Sequence, residues 1–343
     1  MPWLVPPRGP WPNKVVVLGE APGRDEEGYG KCFVGSSGQE LMLMLQESDL
    51  DPATLYFTNV FKLRPPGNKV EAFFRTKKAP DAGPAWNGKH LDLGLYSHLT
   101  LLEQELALVK PELILALGKT ALWFTTGLDK ISKFRGVFHQ SKYGMVLPTY
   151  HPAYVLRQFS DRTVVIADFL KAKRFLEDGQ SPKNDHKLHI NPTVEDLPNW
   201  VNAIRVVPAN GVDIETAGGL IRSVGFSVSD TEAYVFPFFD RSGPNGLTNF
   251  WPTVEAEASC WAAVIQCLAS PSIKIFQNPL YDCQYFYDMG IPVCGPIRDT
   301  MACHHALQPG MEKSLGFLGS IYLNSEAWKE MRSRGDREDK VDA

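Results

Sequence analysis

The feature that most constrains the fold is an alternation of short apolar runs with helical patterns along the first half of the chain. Apolar runs that indicate buried strands span residues 14–18, 55–60, 113–117 and 145–148. Helical patterns cover 39–47, about 101–109, a segment that opens at 118, and about 163–176. Strands separated by helices form a mainly parallel, doubly wound α/β sheet with helices on both faces. Ligands of such sheets bind beyond the carboxyl ends of the strands, so functional residues are expected there.

The second half has a different order of elements. Strand patterns at 211–215, 221–229 and 233–238 follow one another, before a helix at 251–268, a strand at 273–277 and a helix at 282–289. This order predicts a second α/β domain with a mixed sheet. We therefore expect a first domain at 1–178, a linker at 179–190, a second domain at 191–330 and a charged tail at 331–343. Residues 68–87 are rich in Lys, Pro and Gly, which predicts an exposed, irregular loop.

Composition argues against a membrane protein and against a disulfide-bonded secreted domain. No run reaches the roughly 18 apolar residues of a membrane span, and the N-terminus lacks the basic-then-apolar order of a secretory signal. We expect a cytoplasmic protein without a membrane partner. The six cysteines include no C-x-x-C pair, which argues against structural zinc. Up to Asp178 the chain has 22 Lys and Arg residues and 19 Asp and Glu residues, whereas the remainder has 13 Lys and Arg and 20 Asp and Glu. A mildly basic first half and an acidic second half are compatible with a DNA-contacting module joined to a carboxylate-rich metal site.

Glycine-rich turns and polar residues follow the predicted strands of the first domain. Gly19-Glu-Ala-Pro-Gly23 comes directly after the first strand, and Gly35-Ser-Ser-Gly38 precedes a helix. Such loops expose backbone N–H groups and let the main chain approach a flat ligand closely. Three more segments follow in order: Asn59 at a strand end, Arg64-Pro-Pro-Gly-Asn68, and Pro148-Thr-Tyr-His-Pro-Ala153.

In combination these segments resemble family 4 uracil-DNA glycosylases. Residues 19–27 with Phe33-Val-Gly35 are similar to the first motif of that family, and Asn59 with 64–68, 115–120 and 151–157 is similar to its later segments. The resemblance covers about residues 14–175. Any one motif is weak, but four motifs in order at strand ends are specific. The resemblance implies hydrolysis of the uracil–deoxyribose N-glycosidic bond in DNA.

The resemblance also implies a role for each matching residue. Phe33 would stack on a flipped uracil, and Asn59 would contact its Watson–Crick edge with a paired donor and acceptor. Glu20 would position or activate the attacking water, and His151 would stabilise negative charge that develops on uracil O2. The other matches are Gly19 and Ala21 in the uracil-binding loop, and Arg64 and Arg157 as DNA contacts, Arg157 with phosphate.

The residue types alone leave simpler interpretations open for this site. Phe33 can be a core residue, and Asn59 can be a turn former at a strand end. Glu20 can be a solvated carboxylate, and His151, which precedes a proline, can order a loop. Lys119 is expected to cap its helix rather than to touch substrate.

One feature of the family is missing from this chain. Family 4 members usually carry a [4Fe–4S] cluster on four cysteines, of which two lie in an N-terminal C-x-x-C pair and one lies beside the Arg-Pro-Pro segment. Here Leu63 precedes Arg64, and the segment before residue 32 and residues 68–100 contain no cysteine. A thiolate-ligated cluster requires thiolates, so we predict no iron–sulfur cluster. Cys32 stands where Pro is common in the family.

A second set of motifs lies in the second half. Asp213-Ile-Glu215 is on a predicted strand, so its two carboxylates point to the same face, an arrangement that is costly unless a cation lies between them. Asn278-Pro-Leu-Tyr-Asp282, Asp299-Thr-Met301 and Lys313-Ser-Leu315 follow. The order resembles the 3′–5′ exonuclease domain of family A DNA polymerases, including phage types, over about residues 190–323. It implies an RNase H-like fold.

The implied chemistry is two-metal phosphodiester hydrolysis with Mg²⁺ or Mn²⁺. Asp213, Glu215 and Asp282 would bind the metal ions, and Asp299 would lie behind them. The alternatives are a surface pair for Asp213 and Glu215 and a helix N-cap for Asp282. The family's third motif, Tyr-x-x-x-Asp, is not found after Tyr322, so the domain is expected to stop short. Either the chain is a truncated or split product, such as the N-terminal fragment of a phage DNA polymerase, or the exonuclease is impaired. Weak or absent exonuclease activity is expected.

The leading hypothesis is a DNA repair and replication protein, of phage type, that removes uracil and whose second domain trims or holds single-stranded 3′ ends. A DNA polymerase is its expected partner, and the host cytoplasm or nucleoid its expected location. The main alternative is a non-catalytic scaffold that binds DNA or a polymerase. A nucleotide hydrolase is a third, but Gly118-Lys-Thr120 lacks the upstream glycine of a phosphate-binding loop.

Overall fold

A computed structural model of the chain describes residues 4–179, 186–240 and 248–323. Half of the expected linker, residues 180–185, and all of the expected charged tail lie outside the described residues. The chain divides into two compact units. The first unit holds the described residues of 1–182 and 316–343, and the second holds those of 183–315. Each unit is described by itself.

The first unit is built on a five-stranded sheet in the order β2-β1-β6-β8-β7. Its strands are β1 (Val15–Gly19), β2 (Tyr56–Asn59), β6 (Leu113–Leu117), β7 (His139–Ser141) and β8 (Gly144–Thr149). Strands β2, β1, β6 and β8 are parallel, and only the edge strand β7 is antiparallel. The predicted, mainly parallel sheet is confirmed.

Both faces of this sheet are buried. Val15 and Val17 of β1 belong to one apolar cluster and Val16 and Leu18 to another. Because successive side chains of a strand point to opposite faces, the two clusters lie on opposite sides of the sheet, and a continuous apolar run is the expected signature of such a strand. The helices of this unit are α1 (Arg24–Tyr29), α2 (Ser36–Glu47), α3 (Tyr96–Val109), α4 (Gly118–Thr126), α5 (Ile131–Phe134), α6 (Pro152–Val155) and α7 (Arg162–Asp178).

The segment predicted as an irregular loop, 68–87, is largely ordered, so that prediction was wrong. With the residues that follow, it forms a small antiparallel sheet in the order β3-β5-β4, made of β3 (Phe74–Arg75), β4 (Ala82–Trp86) and β5 (Lys89–Asp92). Asn87 and Gly88 turn between β4 and β5 with φ of 45° and 76°. An Asn-Gly pair with two positive φ values is the favoured two-residue hairpin loop. Phe74 and Trp86 anchor the sheet against Trp123 and Phe124.

The second unit contains a mixed sheet, as the order of its elements predicted. The sheet has the order β16-β15-β10-β11-β12-β9, with antiparallel pairing of β10 with β11 and of β11 with β12 and parallel pairing elsewhere. Its strands are β9 (Lys187–His189), β10 (Ala209–Ala217), β11 (Leu220–Ser227), β12 (Glu232–Pro237), β15 (Ile273–Phe276) and β16 (Ile297–Asp299), and β13 (Phe239–Asp240) pairs with β14 (Thr248–Asn249). Its helices are α8 (Leu197–Arg205), α9 (Val254–Leu268), α10 (Pro279–Asp288) and α11 (Thr300–Leu307).

The last described helix, α12 (Leu315–Tyr322), belongs to the first unit from residue 316 onward. Lys171 Nζ donates to the carbonyl oxygens of Ser320 at 2.5 Å and Leu323 at 2.9 Å. Since the last carbonyls of a helix have no partner within it, the buried Lys171 satisfies the end of α12. This differs from the expected boundaries, which put 191–330 in the second domain. None of the described helices is long and apolar enough to cross a membrane.

Candidate functional site

A cavity of about 390 Å³ lies beyond the carboxyl ends of β1, β2, β6 and β8, within the range of about 300–1,000 Å³ typical of small-ligand sites. The predicted site residues that line it are the catalytic candidates Glu20 and His151, the uracil-binding candidates Ala21, Phe33 and Asn59, and the DNA-binding candidate Arg157. These side chains come from four separate segments of the chain. The parallel sheet brings them together because it collects the carboxyl ends of its strands at one edge.

Phe33 is held in an unusual backbone conformation at the cavity wall. Its φ is 55°, a left-handed value that is uncommon for a bulky residue. The buried Glu26 accepts hydrogen bonds from the backbone N–H of Phe33 and of Gly23, both at 2.5 Å. A Cβ on Gly38 would lie 2.2 Å from the backbone carbon of Phe33, so only glycine fits there. Phe33 is 5% exposed and its ring packs 5.7 Å from that of Phe57, so it is partly a core residue and partly cavity wall.

Asn59 is 3% exposed and its amide is fixed by Cys32. The Cys32 Sγ donates to the carbonyl oxygen of Pro6 at 3.1 Å and accepts from Asn59 Nδ2 at 3.6 Å. Because the thiol proton is committed to Pro6, sulfur can only accept from the amide, which orients the NH₂ group. A Cβ on Gly19 would lie 2.3 Å from Asn59 Oδ1, so Gly19 is needed to leave room for the oxygen.

Glu20 is a half-buried carboxylate at the end of β1. Thr120 Oγ1 donates to Glu20 Oε2 at 2.5 Å. Burial raises the pKa of Glu20, and the Thr120 hydrogen bond opposes that rise because it favours the ionised form. Lys119 also lines the cavity and favours ionised Glu20 through its charge.

His151 caps the N-terminus of α6. Its Nδ1 accepts from the backbone N–H of Ala153 at 3.2 Å. Burial, together with the nearby charge of Arg157, lowers the pKa of His151 to about 4. The imidazole is therefore neutral near pH 7, and since Nδ1 accepts a hydrogen bond, the ring proton lies on Nε2.

Arg64 is not brought to the cavity, unlike Arg157. Its guanidinium donates to Asn68 Oδ1 at 2.6 Å and pairs with Glu27 at 3.1 Å. The cavity wall beside it is formed by Pro65 and Asn68 instead.

Several residues of this site were not predicted from the sequence, among them Lys119, Tyr154 and Glu26. Lys119 and Tyr154 line the cavity, and Glu26 holds Phe33 in place by accepting a hydrogen bond from its backbone N–H. Glu26 had a signal, since a glutamate three residues after Gly23 at a helix start is typical of a capping box. Lys119 was expected only to cap its helix, and its place at the cavity depends on the Gly118 turn at the end of β6.

The first unit does not fit an iron–sulfur cluster. Four thiolates are the usual ligand set, whereas residues 1–182 contain one cysteine, Cys32. Burial raises the pKa of its thiol to about 12, and that thiol is committed to Pro6 and Asn59. We therefore assign no role to a cluster in the chemistry of this unit.

The predicted metal ligands of the second unit lie around β10. Asp213 and Glu215 are both exposed and share a face of the strand. Asp282 on α10 is 3% exposed and its Oδ1 accepts from the backbone N–H of Ile214 at 3.0 Å. Burial raises the pKa of Asp282. Among the described residues, no three His, Cys, Asp or Glu side chains come together in a set that can hold a metal ion.

Asp299 has a structural position beside this group. It caps the N-terminus of α11 by accepting from Met301 N–H at 2.9 Å, and the same oxygen accepts from Asn278 N–H at 3.0 Å. Asp299 thus fixes the turn between β15 and α10, which carries Asp282. Asp282 itself is inside α10 rather than at its N-cap, a position that Asn278 occupies.

Comparison with known proteins gives a clear result for the first unit. A family model described as the uracil DNA glycosylase superfamily matches residues 6–176. The type-4 uracil-DNA glycosylase of Thermotoga maritima is 35% identical over 170 residues, which are 48% of this chain and 79% of that protein.

The other similarities are weaker. A DNA polymerase of Bacillus phage SP01 is 25% identical over 231 residues, which cover 64% of this chain and 23% of the polymerase. Among solved structures, the catalytic core of RRP6 from Trypanosoma brucei is 18% identical with a TM-score of 0.31, covering 49% of this chain and 45% of that one. The similarity to the glycosylases is higher in identity and covers most of their length. The chain therefore belongs to the uracil DNA glycosylase superfamily.

Proposed function

We propose that the first unit hydrolyses the N-glycosidic bond between uracil and deoxyribose in DNA. The observation that carries the proposal is the convergence of Phe33, Asn59, Glu20 and His151 on one cavity. An aromatic ring, an amide and a neutral imidazole can together hold a flat base with polar edges. The similarity to type-4 uracil-DNA glycosylases supports the same substrate.

Asn59 accounts for the choice of base in this proposal. With one amide hydrogen engaged by Cys32, the side chain keeps one donor and one acceptor. Uracil presents a complementary pair, the O4 acceptor and the N3–H donor. Cytosine presents an amino donor and an N3 acceptor, so a fixed amide of this orientation mismatches it.

His151 and Glu20 carry the chemistry in the proposal. Negative charge develops on uracil O2 as the bond breaks, and the Nε2–H of neutral His151 donates to it. Removal of a donor of this kind typically costs about 10²–10³ in kcat. The sugar becomes oxocarbenium-like, and the ionised Glu20 stabilises this positive charge and orients the water that attacks the anomeric carbon. The uracil anion leaves with the bonding electron pair, and the proton that the attacking water releases balances its negative charge.

The DNA strand is proposed to approach along the segment after His151. Arg157 lines the cavity and supplies a positive charge for phosphate. Leu156 beside it is 45% exposed, and an exposed apolar side chain at such a mouth can fill the space that a flipped base leaves in a duplex.

The experiment is the release of uracil from a single-stranded oligonucleotide, read as strand breaks after alkali treatment. The same oligonucleotide with thymine in place of uracil is the control. We expect breaks at the uracil position only. Intact uracil strands over a wide range of enzyme concentrations, with DNA still bound, would favour the non-catalytic scaffold.

For the second unit we propose binding of single-stranded 3′ ends of DNA, with Mg²⁺ or Mn²⁺ at Asp213 and Glu215. The supporting observation is that these two carboxylates share one face of β10, where the buried Asp282 accepts from the Ile214 backbone N–H between them, while Asp299 holds the turn that leads into α10. In addition, the phage polymerase match covers 64% of the chain, more than residues 6–176 can supply. A DNA polymerase is the proposed partner.

The ligand set of the described residues does not complete a two-metal centre, so weak or absent exonuclease activity is expected. The test is metal-dependent shortening of a 5′-labelled single strand, together with binding of the same strand. Asp213→Ala is expected to weaken Mn²⁺-dependent binding. Shortening or metal-dependent binding that survives Asp213→Ala would contradict the assignment.

A further inference from the structure

A second cavity of about 560 Å³ adjoins the proposed uracil cavity. The two cavities share Glu20 and Lys119 in their walls. Since Glu20 is proposed to act at the sugar, a cavity that shares Glu20 is a candidate to receive the next part of the DNA strand. Its outer wall is the small sheet β3-β5-β4 with the turns beside it.

The walls of this cavity combine an apolar surface with fixed cations. Phe74 packs edge-on against Trp123 at 5.3 Å, and Lys89 lies 5.8 Å and 5.7 Å from the centres of these two rings. Lys89 is paired with Asp129 at 3.0 Å, and Arg75 is paired with Asp81 and Asp92 at 2.6 Å each. These pairs fix the wall and leave little net charge on it.

Two further cations on the wall, Lys77 and Lys119, are exposed. Among the described residues neither forms a hydrogen bond or an ion pair, although the charge of Lys119 acts on Glu20 and Asp129. Glu71 is also exposed on this wall. Two exposed ammonium groups offer contacts to phosphate, whereas a carboxylate accepts from the amino group of a base. An apolar wall with both kinds of group matches a nucleotide rather than a simple anion.

We propose that this cavity binds a nucleotide of the same DNA strand, next to the uracil that is excised. Lys77 contacts its phosphate, the apolar wall by Phe74 receives its base, and Glu71 accepts from the amino group of that base. The proposal rests on the proposed uracil excision. The small sheet, whose sequence predicted a loop, is then a substrate-binding element.

The test compares Lys77→Gln with Lys78→Gln. Both lysines are exposed in the same turn, both changes remove one positive charge, and only Lys77 lines the cavity. With a long uracil-containing single strand, Lys77→Gln is expected to raise KM with little change in kcat, and to lower the salt slope of log KM by about one. The KM penalty then shrinks about threefold between 50 and 200 mM salt. Lys78→Gln is expected to leave the slope unchanged.

Shortened substrates test whether the bound nucleotide belongs to the substrate strand or is a free nucleotide. Strands that end directly 5′ or directly 3′ of the uracil lack one neighbour each. On one of the two, wild type and Lys77→Gln are expected to have the same KM, because the contacted nucleotide is missing. If the two lysine variants behave alike on the long strand, or if both shortened strands still distinguish Lys77→Gln from wild type, the proposal is wrong.

Failure of the nucleotide site can be told apart from failure of the proposed uracil excision. If the wild-type protein releases no uracil from any strand, uracil excision fails. The nucleotide site is then judged from the anisotropy of the same labelled strand, with the same two variants and the same salt series. Equal Kd values for the two variants would overturn it. A Kd raised only by Lys77→Gln supports it.

Discussion

Asp168→Asn tests how the loop that carries His151 is held in place. Asp168 on α7 is fully buried and accepts from Arg135 Nε at 3.1 Å and from Thr149 Oγ1 at 2.6 Å, with a further contact to Arg135 Nη2. Arg135 is 2% exposed. Thr149 ends β8, two residues before His151. The carboxylate therefore joins α7, the end of β8 and the buried guanidinium.

The expected loss of stability follows from the charge of Arg135, which remains buried when Asp168 is replaced. Removal of one partner of a buried ion pair leaves the other charge uncompensated and costs about 3–5 kcal/mol. Asparagine retains one acceptor oxygen, so the lower end, about 3 kcal/mol, is expected. For a unit of this size each kcal/mol corresponds to roughly 2–4 °C, so the unfolding midpoint is expected to fall by roughly 6–12 °C.

The assay is calorimetric unfolding of the full chain, with Asp49→Asn as the matched control. Asp49 pairs with Lys173 at 3.0 Å, but the pair lies on the surface. Its φ of 53° is tolerated by asparagine, so the control is expected to leave the midpoint unchanged. Equal midpoints for the two variants would refute the claim that Asp168 anchors this part of the fold.

Three further variants address the proposed site. Thr120→Val removes a hydrogen bond that favours ionised Glu20, so its pKa rises further and the acid limb of the pH–kcat profile moves to higher pH. Cys32→Ala frees the Asn59 amide to turn, which we expect to reduce uracil release severalfold and narrow the ratio of uracil to cytosine release, measured on matched strands. Leu156→Ala is expected to slow uracil release from a duplex more than from a single strand, measured as kcat/KM on both.

For each of these variants, one result would contradict the prediction. Thr125→Val, on the same helix but bonded to the helix backbone, controls for the first, and an acid limb that does not move relative to it contradicts the role of Thr120. For Cys32, Cys32→Ser retains a donor and an acceptor and should restore selectivity. Equal losses on duplex and single strand would show that Leu156 does not act by filling the base stack.

The strands of the first sheet were predictable because each is an unbroken apolar run. Such runs are required when both faces are covered, as the two clusters on either side of β1 illustrate. Asn59 and His151 were predictable because each lies at or just beyond the carboxyl end of a strand, whereas Phe33 lies between α1 and α2 and was identified through the resemblance alone. The resemblance supplied their roles, which the residue types alone left open.

The features that were missed depend on contacts distant in sequence. The β3-β5-β4 sheet lies in a polar segment, and its order comes from Phe74 and Trp86 packing on helix α4. The Asn87-Gly88 pair is typical of a hairpin turn, but it predicts a hairpin only weakly when the flanking residues do not alternate between apolar and polar. The return of α12 to the first unit depends on Lys171, about 150 residues away, and no local pattern encodes such a contact.

The most direct test of the central claim measures free uracil itself. Uracil released from a defined single strand is quantified by mass spectrometry in a single turnover, for wild type, His151→Ala and the control His139→Ala in the same unit. We predict one uracil per strand for wild type and the control, and a rate about 10²–10³ lower for His151→Ala. Equal rates for the two histidine variants would contradict the catalytic role of His151.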